Sequence, residues 1–327
     1  EDQRDALGDP EQLRGTLNQL THAYTCPQAI RTSIPESQHS TFWVRDRAVE
    51  YLSSAQRKET SFFAFLSFPD PHHPFAPPGK YWDMYGPDDM VLPDSFHQHS
   101  NNPPPHLKWL REHGQIGDAG YGAARVTEQQ AREAMALTCG MIAMVDDAVG
   151  AILDTLDVQG LTEDTVLVFT SDHGDFLGDH GMILKGPMHY QSTVKVPFIW
   201  SDPDKLEPTR TTRLSSSVDI STTILRRAGL QPYWGIQGKD LFTSEPSDAI
   251  LIEDEGNRIS LGFDQVPRVR TIVTDRYRMS VYQDADWGEL YDLVNDPGEI
   301  TNLWGNPTFA TEKSDLQFKL IQNMTRA

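Results

Sequence analysis

Basic residues are in short supply. The 327-residue chain sets 28 Lys and Arg against 47 Asp and Glu, a formal net charge of −19. Non-specific nucleic-acid binding and attachment to an anionic membrane surface both rest on neutralising phosphate, so neither kind of partner is expected. The deficit leaves the local sign of a single pocket open. Cysteine is scarcer still: Cys26 and Cys139 are the only two. A disulfide framework is excluded, although one bridge is not, and two free buried thiols fit better. No uninterrupted apolar run approaches the roughly 20 residues of a membrane span. Repeats and low-complexity tracts are absent, and the opening EDQRDALGDPEQ has no secretory pattern.

What is present is length enough for a large core, in one big domain or one plus a smaller. Residues 1–40 are polar with weak helical signals, and 41–52 read as a helix. FFAFLSF (62–68) reads as a buried strand that runs into the proline-rich PDPHHPFAPPGK, which cannot be regular structure. Loop character then continues to about residue 124. Apolar positions 135, 138, 142, 145, 149, 152 and 156 step by three and four, predicting a helix over 127–156. TVLVF (165–169) and VPFIW (196–200) predict two further strands, and Ser217 or Asp219 caps a helix ending near Gly229. From about residue 245, short strand-like runs (AILIED, RVRTIV, YRMSVY, ELYDL) predict a small antiparallel subdomain. The expected architecture is α/β, a mainly parallel sheet flanked by helices over 1–244 and an antiparallel α+β subdomain over 245–327.

One segment carries chemistry. TVLVF ends in Ser171-Asp172-His173-Gly174, followed by Asp175, Gly178, Asp179, His180, Gly181 and Lys185. Ligands of open α/β sheets sit beyond the carboxyl ends of strands. A carboxylate and an imidazole there can both bind a divalent cation, with Gly174 permitting the turn that brings them to one side. The plainer reading is an Asp capping a turn beside an exposed loop His. Two ligands do not hold a metal alone, so more carboxylates must come from elsewhere. Lys185, 13 residues beyond Asp172 (185 − 172), can meet an anionic oxygen as a point charge. His72 and His73, stiffened by Pro71 and Pro74, can position a general acid. His180, Asp175 and Asp179 read as supporting groups or turn residues, and Glu253-Asp254-Glu255 as a solvated strand end in preference to a second metal site.

Together these segments resemble the sulfatase family of the alkaline-phosphatase-like superfamily. SDHGDFLGDHGMILKGPMHY is similar to the family's second signature region. PHHPF resembles its Pro-His-x-Pro-Phe/Tyr motif, and ELYDLVNDPGEITNLW its C-terminal Leu-Tyr-Asp-Leu-x-x-Asp-Pro-x-Glu-x-x-Asn-Leu motif. The three span residues 71–304, most of the chain. The resemblance implies Asp172 and His173 as ligands of a divalent metal, usually calcium; calcium prefers oxygen ligands, and imidazole suits manganese, zinc or iron better. It implies Lys185 against the sulfate and His72, the first His of the motif, near the ester oxygen to help the leaving group depart. The substrate implied is a small-molecule or saccharide sulfate ester, and an oligomer is compatible with it.

Departures from the family are specific. Its formylglycine nucleophile is made within Cys/Ser-x-Pro/Ala-x-Arg, whereas in Cys26-Pro27-Gln28-Ala29-Ile30-Arg31 the proline comes one place early and the arginine one place late. That nucleophile and the family's Asp-Asp metal pair are therefore expected in a segment preceding residue 1, whose absence would leave apolar sheet edges uncovered. Tyr190-Gln191-Ser192 stands where Tyr-Glu-Gly is usual, and Lys195 where an Arg is. His173 replaces an Asn common in sulfatases and matches related phosphonate and phosphate ester hydrolases, which gives the alternative activity; a catalytically inactive remnant is the third.

Overall fold

The computed structural model describes residues 19–54, 60–98, 102–114, 122–205 and 207–325. The weak helical signals of residues 1–18 lie outside these. In chain order the elements are α1 (Ser40–Ser53), α2 (Pro105–His113), β1 (Ala124–Arg125), α3 (Glu128–Val158), β2 (Leu167–Thr170), β3 (Met182–Ile183), α4 (Gln191–Val194), β4 (Phe198–Ser201), α5 (Val218–Arg227), β5 (Ile250–Glu255), β6 (Arg268–Val273), β7 (Tyr277–Tyr282), β8 (Gly288–Asp292) and α6 (Ala310–Met324).

α3 organises the larger half. Thr127 and Gln130 form a reciprocal capping box: Thr127 Oγ1 accepts the Gln130 amide at 3.2 Å, and Gln130 Oε1 accepts the Thr127 amide at 2.9 Å. Two of the helix's orphan N–H groups are thereby satisfied. Its buried stripe runs Ala134, Leu137, Met141, Met144, Ala148, Ile152, Leu156. The predicted stripe thus needs rotating, because Ile142 is exposed while alanines and methionines take the inner positions. Upper α3 packs on Phe75, Trp82, Phe96, Ile183 and Leu184; its lower end packs on Ala48 and Leu52 of α1. By length and composition α3 could also cross a bilayer, contrary to the expectation that no stretch could; half of its most apolar window is buried inside the protein.

The expected mainly parallel sheet is not seen among the described residues. Among the described residues every ladder is antiparallel: β1 with β3, β2 with β4, and β5-β6-β7-β8 in that order. One isolated parallel bridge joins Ala29 to Phe75. Residues 62–68, expected as a buried strand, lie outside any ladder, with Phe63 73% and Phe65 82% exposed. A strand of a parallel sheet is buried on both faces and needs neighbours on both edges; among the described residues these have none. Phe169, Phe198 and Ile199 of β2 and β4 are exposed as well. α2 also departs from expectation, falling inside the predicted loop. Pro105 occupies its first turn, where proline is tolerated, and Leu107 and Leu110 are buried.

The C-terminal region is closed by contrast. β5 to β8 form a four-stranded meander against which α6 lays Leu316 and Leu320, burying Ile272, Met279 and Leu290. Tyr291 of β8 joins Phe176, Met182, Met188 and Tyr190 in a separate cluster, which ties the meander to the glycine-rich loop.

Candidate active site

β2 ends at Thr170, and the turn that follows carries the candidate ligands. Asp172 Oδ1 accepts the His173 amide at 2.9 Å, and Asp172 Oδ2 lies 3.6 Å from His173 Nε2. The carboxylate is exposed. Partial burial would raise the Asp172 pKa, but hydrogen bonds from the His173 amide and the field of the imidazole outweigh it, and the net shift is downward. His173 Nδ1 faces the Gly174 carbonyl at 2.8 Å, leaving Nε2 directed to the Asp172 side. Gly174 does not adopt a left-handed conformation; glycine is required there for room. A Cβ at this position would lie 2.0 Å from the Ser192 carbonyl oxygen, because α4 packs directly on the turn and the Gly174 amide donates to Thr193 O at 2.8 Å.

The loop beyond doubles back. Gly178 has φ +101°, and the Gly178 amide donates to Met182 O at 2.6 Å. Asp175 is a half-buried turn residue: Oδ1 accepts the amides of Leu177 at 3.0 Å and Leu184 at 2.8 Å. Its burial raises its pKa, against the pull of those amides and of Lys185. Lys185 is half-buried. Burial lowers its pKa, opposed by Asp175 and Asp172. His180 is turned away from Asp172. It packs on Tyr190 with ring centroids 4.4 Å apart, and Nε2 is buried without a hydrogen-bond partner.

The Pro71–Phe75 segment arrives from another direction. His72 is exposed and His73 buried, with their rings stacked at 4.1 Å. Burial, then the neighbouring His72, Lys185 and His173, push the His73 pKa down to about 4. His73 is therefore neutral at physiological pH, and Nδ1 is buried without a partner. Lys185 and His173 act electrostatically on this ring although about 100 residues separate the two motifs (173 − 73). Sequence reasoning singled out His72 and passed over His73; the apolar neighbour Phe75, 1% exposed, is the signal that this segment is anchored. The site is a patch of imidazoles and one lysine facing two carboxylates, in a protein of strongly negative net charge.

Elsewhere the acidic run 253–255 is paired with cations, not gathered for a metal: Glu253 meets Arg270 at 2.9 Å and Glu255 meets Arg268 at 2.7 Å. Among the described residues no group of three or more His, Cys, Asp or Glu is arranged to hold a metal ion. Cys26, buried, and Cys139, half-buried, are both free.

A family model described as Sulfatase matches residues 6–230. The chain belongs to the sulfatase family. A second model, described as N-sulphoglucosamine sulphohydrolase, C-terminal, matches residues 178–326, so this sulfatase chain is matched along nearly its whole length. The multifunctional alkaline phosphatase superfamily protein PehA of Trinickia caryophylli is 29% identical over 309 residues, covering 88% of this chain and 59% of that protein. An arylsulfatase of Clostridium perfringens is 28% identical, covering 88% and 58%. The sulfatase chain thus spans a little over half the length of these relatives. The phosphonate monoester hydrolase of Agrobacterium radiobacter shares the fold, with a TM-score of 0.78 at 23% identity, covering 99% of this chain and 68% of that one.

Proposed function

We propose that the chain carries the charge-stabilising portion of a sulfuric ester hydrolase acting on a small-molecule or saccharide sulfate ester. What supports this reading is that Lys185 and His173 act electrostatically on His73, which stacks on His72 at 4.1 Å, while Asp172 and Asp175 act on Lys185. Lys185, half-buried and flanked by carboxylates, meets a sulfuryl oxygen as a fixed positive charge, where partial exclusion of water strengthens the interaction. His72, which is exposed, gives a proton to the departing ester oxygen. His73, neutral and buried, holds the His72 ring in place by stacking.

Asp172 and His173 supply two donors for a divalent cation, which when bound polarises a sulfuryl oxygen. A carboxylate–imidazole pair suits manganese as well as calcium, and two donors fall short of the six or more oxygens calcium prefers. On this proposal the remaining ligands and the formylglycine nucleophile come from a segment before Glu1, whose strands pair with residues 62–68, cover Phe63 and Phe65 and complete a mainly parallel sheet. The division between that sheet and the C-terminal subdomain falls near residue 245.

His173, where many sulfatases have Asn, favours hydrolysis of a phosphonate or phosphate ester as the second reading. Turnover of an aryl sulfate and an aryl phosphonate, side by side, by the natural full-length protein separates the two. Sulfate should be the faster substrate. The 327-residue chain alone should bind divalent metal weakly and release no sulfate; robust release by that chain would overturn the proposal.

A further inference from the structure

The C-terminal sheet buries an ion cluster with no part in the chemistry above. Arg278 of β7 is fully buried, as is Glu289 of β8. Arg278 Nη1 donates to Glu289 Oε2 at 3.2 Å and to Ser280 Oγ at 2.9 Å, and Arg278 Nε donates to Glu299 Oε1. Glu289 Oε1 accepts the Tyr190 hydroxyl at 2.7 Å, and Glu289 Oε2 accepts the Tyr282 hydroxyl at 2.9 Å. Desolvation of this sort is costly unless every lone pair is used, and a domain of this size could fill the same volume with apolar side chains. The cluster therefore calls for a reason beyond stability.

Its connections supply one. The second oxygen of Glu299 accepts the Gln191 amide at 2.7 Å, the first N–H of α4. Within α4 the Tyr190 carbonyl accepts the amides of Thr193 at 2.9 Å and Val194 at 3.0 Å, and Thr193 O accepts the Gly174 amide at 2.8 Å. Thr193 Oγ1 also reaches back to Met188 O at 2.8 Å, in the segment that follows Lys185. A continuous path of hydrogen bonds thus runs from Arg278 through Glu299 and α4 to the peptide between His173 and Gly174. The close approach of Gly174 to Ser192 leaves the turn no slack against α4.

We propose that Glu299, held by Arg278, is a positioning residue that fixes the Asp172–His173 turn through α4. The placement of that turn at a catalytic centre rests on the functional reading given above, but the coupling does not. Its consequence is that the C-terminal motif, far from the chemistry in sequence, sets the orientation of the His173 ring.

Glu299→Gln is nearly isosteric, and because Arg278 and Gln191 donate to different oxygens of Glu299, the amide puts an NH2 donor in place of one of the two acceptors. Glu299→Met removes both acceptors, fills a similar volume and leaves Arg278 its Glu289 partner, so it serves if the glutamine form does not fold. Amide exchange followed by NMR on the full 327-residue chain reads the coupling without metal, substrate or turnover. Exchange at Gly174 should accelerate at least tenfold in Glu299→Met and by a smaller factor in Glu299→Gln, with a displaced His173 ring resonance in both. Amides of α3 at Met141 and Ala148 should exchange as in the wild type. Unchanged protection at Gly174 would overturn the proposal, as would an equal acceleration in α3, which would mean general loosening. Coupling present in this chain, together with a natural full-length protein that hydrolyses no sulfate or phosphonate ester, would sink the functional reading alone.

Discussion

The segment 62–68 and the strand β7 are similar in apolar content and opposite in circumstance. Met279 of β7 is fully buried, enclosed by β6, β8 and α6, whereas Phe63 and Phe65 are 73% and 82% exposed. The C-terminal sheet can even bury Arg278, because Glu289, Glu299 and Ser280 surround it. In residues 62–68, Phe62 and Phe68 pack partly against α1 and α3, but Phe63 and Phe65 stay exposed, because no described strand lies beside them. Apolar sequence specifies a strand's appetite for neighbours; whether it becomes a core strand depends on the neighbours supplied.

The largest effect expected from breaking this contrast is at Arg278. Arg278→Ala leaves two buried carboxylates without their cation, and urea unfolding should show a loss of about 3–5 kcal/mol. A loss under about 1 kcal/mol would mean that the pair is wet. Next come paired truncations in the two regions. Leu290→Ala should cost about 2–5 kcal/mol by cavity formation. Phe65→Ser should change stability by less than about 0.5 kcal/mol and reduce self-association in sedimentation, since an uncovered apolar edge is a docking hazard. Equal costs at the two positions would erase the distinction drawn here.

A third test uses pH. His73 ordinarily titrates near 6.5 and is pushed down to about 4 in the fold. Its folded form resists protonation, so the unfolded chain binds more protons between those values. The stabilisation is present above about 6.5 and is lost as pH falls through about 4, by up to about 3 kcal/mol. His73→Asn should flatten the stability–pH curve in that window, and an unaltered slope would show that His73 is not the group responsible. The smallest effect is expected at the exposed ladder end. Glu253→Ala should cost less than about 1 kcal/mol, because its pairing with Arg270 is solvated.

Much of this was legible in the sequence, for local reasons. The Thr127–Gln130 box and a three-four spacing specify α3 without reference to the rest of the chain, and the short C-terminal runs specify a meander because hairpin neighbours are close in sequence. The antiparallel β2–β4 pairing and the open state of residues 62–68 were not legible, since pairing partners are set by tertiary context. At the site, the order of motifs pointed to Asp172, His173, Lys185 and His72. It could not show that Gly174 is needed for clearance from Ser192, that His180 turns toward Tyr190, or that Glu299 reaches α4. Those depend on contacts spanning 10 to 108 residues (190 − 180; 299 − 191).

The most direct test of the account is the rate of aryl sulfate hydrolysis by the natural full-length protein with Lys185 intact and with Lys185→Ala. If Lys185 stabilises charge developing on the sulfuryl oxygens, kcat/KM should fall by about 10²–10³ while the circular dichroism and unfolding midpoint hold. A Lys185→Ala protein that hydrolyses aryl sulfate at the wild-type rate would contradict it.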